Sequence, residues 1–212
     1  MQTRPIRAGS LLRPLVLEDV SGRRVAIPQA PGEGQGQARG QAQKPALVHL
    51  QFRRFAGCPV CNLHLRSFAR RHDELEAASV REVVVFYSPA DELRLHTADL
   101  PFAMVADPGR RLYAEFGVTA SPRALLDPRA WLPILRAVAF AVGGVLAGTV
   151  CPPGLSPHGG RLGLPADFLI GPDGRVIACK YGAHVDDHWS VDDVIAEARA
   201  WREQHATLSA AA

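Results

Sequence analysis

Leu47-Val48-His49-Leu50-Gln51-Phe52-Arg53-Arg54-Phe55-Ala56-Gly57-Cys58-Pro59-Val60-Cys61 is the stretch on which the fold turns. Leu47 to Phe52 reads as a strand, and Gly57-Cys58-Pro59 as the turn out of it. Pro59 suits the first position of a helix, where a missing N–H costs no hydrogen bond. Cys61, Leu65, Phe68, His72 and Leu75 then recur at steps of three and four, the apolar stripe of a helix lying on a core. The strand therefore hands a Cys-x-x-Cys pair to a helix N-terminus. Unpaired N–H groups and the helix dipole there favour an anion, which lowers the pKa of a cysteine.

Five arginines surround the pair, Arg53, Arg54, Arg66, Arg70 and Arg71, and no acidic residue lies between Ala46 and His72. These residues point to thiol redox chemistry. Cys58 is expected to be an exposed, low-pKa nucleophile, and Cys61, one helical turn on, the resolving thiol. A buried, inert pair and a zinc site compete with this reading. Structural zinc takes four ligands, and beyond His64 no further set is in view, because Cys151 and Cys179 stand alone. No metal or cofactor is expected. His64 and His72 read as structural, Cys179 as packing, and Cys151 as a remote second resolving candidate.

Outward from this junction the chain alternates strands and helices, which predicts an α/β fold with a largely parallel sheet. Val83–Tyr87 is a continuous apolar run, as in a strand covered on both faces. Asp91–Asp99 reads as a short helix, Phe102–Val105 as a strand, and Asp107-Pro108 as the opening of a helix through Phe116. Residues 119–160 interrupt the rhythm with an apolar helix from Trp131 to Val150 and a Pro/Gly-rich loop. The sheet resumes at Asp167–Ile170, turns at Pro172-Asp173-Gly174 and returns along Arg175–Cys179. A last helix starts at Ser190, with Asp193 completing an imperfect capping box, and frays after Gln204.

Four units follow: an N-terminal edge hairpin extension, 1–27; a flexible insertion, 28–45; the main domain, 46–204, with its insertion 119–160; and a disordered tail, 205–212. The 28–45 segment has five Gln, four Gly and three Pro and offers nothing to bury. The 212 residues, 47% hydrophobic and 21% charged, exclude disorder of the whole chain. A net charge of +3 does not call for a nucleic-acid partner, and four cysteines do not make a disulfide scaffold. No apolar run follows Arg4 and Arg7, so no targeting signal is read and the expected location is cytoplasmic. The uncharged run 137–150 falls short of the ~20 residues that cross a bilayer. Its helix is expected to pack on the domain or a partner subunit, and no membrane partner is expected.

Gly163-Leu164-Pro165-Ala166-Asp167-Phe168-Leu169-Ile170, followed by Gly174-Arg175-Val176, resembles the cis-proline segment and terminal hairpin of the thioredoxin family. Phe102 to Pro108 and Glu115 to Val118 resemble the Asp-Pro strand and helix of the AhpC/TSA peroxiredoxin superfamily. Phe52 to Cys61 is similar to its peroxiredoxin-like branch, whose members carry a Cys-x-x-Cys. The resemblance implies a thioredoxin fold, a central mixed sheet flanked by helices, with an N-terminal hairpin extension and an inserted apolar helix. It also implies a cis Leu164–Pro165 bond beside Cys58, with Pro165 binding substrate.

Departures accompany it. Phe55 stands where peroxiredoxins place a peroxide-binding Thr, and Pro165 falls near their Arg, so Arg53 or Arg54 becomes the candidate substrate-binding cation. The buried Asp of thioredoxin is not found on the strand before the pair, where Phe52 stands nearest. The implied function is a thiol-dependent antioxidant oxidoreductase that reduces peroxides or disulfides, regenerated by an external thiol of thioredoxin or glutathione type, with a homodimer as a candidate assembly. A disulfide reductase without peroxidase activity, and a non-catalytic zinc-stapled or membrane-surface module, stand as alternatives.

Overall fold

A computed structural model describes residues 5–28, 46–148, 151–152, 154 and 156–210. Apart from Pro28, the expected flexible insertion 28–45 lies outside the described residues, as do residues 211–212.

Strand β1 (Leu15–Glu18) pairs antiparallel with β2 (Arg24–Ile27). The Asp19 carboxylate builds their turn by accepting the N–H groups of Ser21 and Arg23, both at 2.9 Å. The hairpin forms a two-stranded sheet of its own rather than an edge of the main one. It is tied to the domain where Val20 N–H donates to the Met104 carbonyl at 2.8 Å.

The main sheet is built around β3 (Leu47–Phe52), buried at every position. On one side lie β4 (Val80–Phe86) and then β5 (Ala103–Ala106), all three parallel. On the other side β6 (Ala166–Ile170) runs antiparallel to β3, and β7 (Val176–Tyr181) runs antiparallel to β6. The order β5-β4-β3-β6-β7 is that of the expected thioredoxin fold. Crossover helices make the parallel half, and the Asp173-Gly174 turn makes the antiparallel half. Phe52, Phe116 and Phe168 meet at ring-centroid distances of 5.1–5.8 Å on one face of the sheet.

Between β3 and β4 stand α1 (Pro59–Arg70) and α2 (His72–Ala77). The single stripe read from Cys61 to Leu75 is thus broken. Arg71 leaves helical geometry (φ −114°, ψ 24°), and its guanidinium bonds Glu74 and Asp192, both at 2.7 Å. Leu75 remains buried, whereas His72 turns half outward, 3.4 Å from the Glu76 carboxylate. Helix α3 (Ala90–Thr97) joins β4 to β5. After β5 come α4 (Arg111–Glu115), α5 (Arg123–Leu126), a 3₁₀ turn (Pro128–Ala130) and α6 (Trp131–Leu146). The closing helix α7 (Val191–Ala210) has the reciprocal Ser190–Asp193 cap and continues past Gln204, where fraying was expected.

Helix α6 departs most from the sequence reading. With its 3₁₀ turn it is a 19-residue apolar rod, Pro128–Leu146, of mean hydropathy 1.5 and 11% buried. Pro133 does not interrupt it, because the N–H groups of a first turn have no intrahelical acceptor to lose. The helix is therefore long and apolar enough to cross a membrane; one side of it packs on α1, and the rest is exposed in the single chain. Ala137 alone is fully buried along it, on the side that meets α1.

Candidate active site

Cys58 caps α1. Gly57 makes the turn before it at φ +74°, and the Cys58 sulfur accepts the Cys61 N–H at 3.4 Å, as an N-cap oxygen would. The Arg54 guanidinium reaches the same sulfur at 2.8 Å. Neither cysteine is in a disulfide. The expected exposure of Cys58 is corrected: it is 1% exposed and Cys61 4%. The turn tucks both sulfurs under the end of the sheet.

The two thiols hydrogen-bond to each other and titrate as one unit. Burial pushes Cys58 well above the ordinary thiol value, and the hydrogen bond with Cys61 and its charge add to this against Arg54. Burial also raises Cys61, but the hydrogen bond from Cys58 and the charge of Arg54 outweigh it and bring Cys61 to about 5. A single negative charge is thus shared by the pair. The sequence assigned that charge to the cap residue because helix position is visible in sequence. The contact of Cys61 with Arg54 is not.

Of the five arginines, Arg54 is the one placed on the sulfur. Arg66 pairs with Asp99 at 2.9 Å, and Arg71 with Glu74 and Asp192. The acid-free neighbourhood of the sequence is filled by carboxylates from elsewhere in the chain. Arg53 is also redirected: its guanidinium points into the core and binds the Asp167 carboxylate at 2.6 Å, Gln51 Oε1 at 2.5 Å and the His64 ring at 2.9 Å. It does not reach the cleft as a substrate ligand and acts on Cys61 through its charge alone.

Asp167 belongs to a buried polar cluster that the sequence did not reveal. His49 lies between Glu82, 2.8 Å from its Nδ1, and Asp167, 3.2 Å from its Nε2. Gln51 donates to Glu82, and the Trp189 N–H donates to Asp167 at 3.2 Å. A buried carboxylate thus stands on Arg53, delivered by β6 rather than by the strand preceding Cys58. Burial lowers the His49 pKa, but the charges of Glu82 and Asp167 overcome it and raise the group to about 9. The alternating register of β3 decides the cluster: His49 and Gln51 point to one face, opposite Glu82 of β4 and Asp167 of β6.

A small cleft opens beside the sulfurs, lined by Gly57, Cys58, Cys61, Phe86, His96 and Thr97 among others. The contributions of β4 and α3 were missed, since nothing in Phe86, His96 or Thr97 marks them in sequence. The His96 ring sits over Gly57, so close that a Cβ there would lie 2.7 Å from it, and its Nδ1 is buried without a partner.

Pro165 does not join the cleft, and its expected cis bond is not found: Leu164–Pro165 is trans. Leu164 N–H is held by the Thr119 carbonyl at 3.0 Å, and the Pro165 carbonyl accepts from Gly182 N–H at 2.9 Å. These bonds carry the segment straight into the sheet ladder. What this loop brings to the site is the Arg161 carbonyl, which accepts from Arg54 at 2.9 Å. Tyr87 O–H holds the same loop through the Gly160 carbonyl, also at 2.9 Å. Cys151 is exposed, Cys179 is half-buried, and neither lines the cleft. Among the described residues no group of three His, Cys, Asp or Glu side chains is arranged to hold a metal ion.

Comparison with known proteins gives a consistent result. The profile of the AhpC/TSA family matches residues 28–179. Peroxidoxin BcpB from Mycobacterium tuberculosis superimposes with a TM-score of 0.59 at 16% identity, over 92% of this chain and 97% of that one. Reduced 2-Cys peroxiredoxin from Plasmodium vivax gives 0.59 at 14%, over 95% and 84%. Thiol peroxidase from Chromobacterium violaceum gives 0.53 at 14%, over 95% and 90%. At these identities the likeness speaks for the fold. No curated protein sequence matches the chain.

Proposed function

Since the chain belongs to the AhpC/TSA family and is a thiol-dependent peroxide-reducing oxidoreductase, we propose that Cys58 is its attacking sulfur and Cys61 its resolving one. The observation that carries this reading is the pair of donors already aimed at the Cys58 sulfur, Arg54 Nη2 at 2.8 Å and Cys61 N–H at 3.4 Å. A proton passing from Cys58 to Cys61 along their mutual hydrogen bond leaves the thiolate where both donors stabilise it.

That thiolate attacks the terminal oxygen of R–O–OH. The O–O bond breaks, Cys58 becomes a sulfenic acid, and the departing RO⁻ takes up a proton. Deprotonated Cys61 then attacks the sulfenic sulfur. Hydroxide leaves and is protonated to water, and a Cys58–Cys61 disulfide remains. An external dithiol of thioredoxin type, or two glutathione-type thiols, reduces it in the cytoplasm. Of Arg53 and Arg54, the two candidates for the substrate-binding cation, Arg54 is the one beside the Cys58 sulfur, and it is assigned that role here.

The test is stopped-flow mixing of the reduced protein with hydrogen peroxide, a bulky organic hydroperoxide and a disulfide. Loss of two thiols per peroxide consumed is expected, with hydrogen peroxide fastest because the cleft is narrow and the sulfurs are buried. Reaction with the disulfide alone would replace this reading with a disulfide reductase.

A further inference from the structure

Attack of Cys58 on a peroxide leaves one proton to be delivered. The departing RO⁻ of hydrogen peroxide or an alkyl hydroperoxide is the anion of an acid about as weak as water, of pKa about 15.7. Releasing it bare into a buried site is costly, so the reaction gains from a proton that arrives as the O–O bond breaks.

Besides the two cysteines, the polar side chains lining the cleft among the described residues are Asn62, Thr97 and His96. The Thr97 hydroxyl is already engaged, donating to the Leu93 carbonyl at 2.8 Å. The Asn62 carboxamide accepts from Arg66 Nε at 2.8 Å and carries no proton it can give up. Arg54, on the Cys58 sulfur and the Arg161 carbonyl, is a guanidinium and keeps its protons. His96 is the remaining group able to take up a proton and return it. Its ring packs directly on Gly57, the residue before Cys58.

The ring is held in its basic, neutral form. Its Nδ1 is buried without a hydrogen-bond partner, so an imidazolium would leave a charged N–H unpaired. Burial lowers the pKa of the group, against the charge of Glu92 one turn earlier on α3.

We propose that His96 is the proton carrier of the peroxide step: it contacts the bound peroxide and passes the proton held by Cys61 to the leaving oxygen, through the cleft that both residues border. The proposal rests on Cys58 as the attacking sulfur. An S–O bond forms as the O–O bond breaks, the sulfur is oxidised and the peroxide reduced. Cys58 thiolate, Cys61 thiol and R–O–OH become Cys58 sulfenic acid, Cys61 thiolate and R–OH, with protons and charge conserved. Cys61 is thereby left in the deprotonated form that attacks the sulfenic sulfur.

Stopped-flow thiol loss from the reduced protein, with hydrogen peroxide and with peracetic acid, tests it. The carboxylate that leaves a peracid has a conjugate acid of pKa about 4 and needs no proton. His96→Gln keeps a planar polar side chain that cannot carry a proton. It should slow the reaction with hydrogen peroxide about 10²-fold, while the peracid rate and the thiolate titration stay close to those of the wild type. Equal slowing with both oxidants would make His96 a structural residue and overturn the proposal. An undiminished rate with hydrogen peroxide would also overturn it, with the cysteine reading left standing. A wild-type protein that loses no thiols to either oxidant would sink the cysteine reading itself, and this proposal with it.

Discussion

One terminal nitrogen of Arg54 lies 2.8 Å from the Cys58 sulfur, while the other donates to the Arg161 carbonyl at 2.9 Å. The loop before β6 thereby fixes the cation that fixes the thiol, across more than a hundred residues of sequence. Arg54 is itself buried, so its charge acts with little screening by water.

Arg54→Met should raise the first ionisation of the cysteine pair from about 5 toward the ordinary thiol range, because a neutral side chain no longer favours the anion. Thiolate absorbance followed against pH reads this directly. Peroxide consumption at pH 6 should fall by about 10²-fold, the usual cost of removing one aligned donor from a developing charge. Arg54→Lys should fall between, keeping the charge but losing the fork that grips Arg161. An unchanged titration in Arg54→Met would show that Arg54 does not set the thiol charge.

Exchanging the two cysteines separates their roles. Cys58→Ser should leave no peroxide turnover. Cys61→Ser should still consume one equivalent of peroxide and stop at a sulfenic acid on Cys58, seen by mass spectrometry as a dimedone adduct. Alkylation at pH 6 with peptide mapping complements this. A sulfenic acid trapped on Cys61 in the Cys58→Ser protein would reverse the order.

The His49 cluster makes stability depend on pH. Its folded pKa of about 9 lies above the unfolded value near 6.5. The stabilisation is therefore complete below about 6.5 and is lost as pH rises through 9. Over that window the wild type should lose on the order of 3 kcal/mol relative to His49→Gln, whose unfolding should lack this term. Urea denaturation at pH 6.5 and pH 10 measures the difference between the two. Parallel losses in both proteins would mean that His49 is not held as a cation.

The parts of this molecule legible in sequence are those fixed by neighbours along the chain. Pro59 and the step from Gly57 to Cys61 announce a strand-to-helix junction, and Asp173-Gly174 announces the hairpin. Ser190 and Asp193 announce the cap of α7. What could not be read depends on partners distant in the chain. Asp99, Asp167 and Asp192 neutralise arginines that look unopposed between Ala46 and His72. His96 enters the cleft because α3, packed on β5, brings its last turn over Gly57. Pro165 shows the opposite failure: the local motif is present, but the bonds of Leu164 to Thr119 and of Pro165 to Gly182 draw it into the ladder. Pro165→Ala should accordingly leave the thiol titration unchanged.

Gly57 links the backbone of the site to its missed member. Its φ of +74° is costly for any side chain, and a Cβ would stand 2.7–3.1 Å from three atoms of the His96 ring. Gly57→Ala should therefore carry two separable penalties, one of backbone and one of contact, together about 1–3 kcal/mol. Removing the ring tests the division. In Gly57→Ala/His96→Ala the contact penalty disappears and the backbone penalty remains, so the double variant should be more stable than the sum of the two single changes. Because Cys58 follows directly, the single Gly57→Ala change should also shift the thiolate titration, and the double variant should restore part of that shift. Urea unfolding of the four proteins closes the cycle. Strict additivity would show that His96 does not press on the turn, and a Gly57→Ala protein as stable as the wild type would show that the turn does not need a left-handed residue.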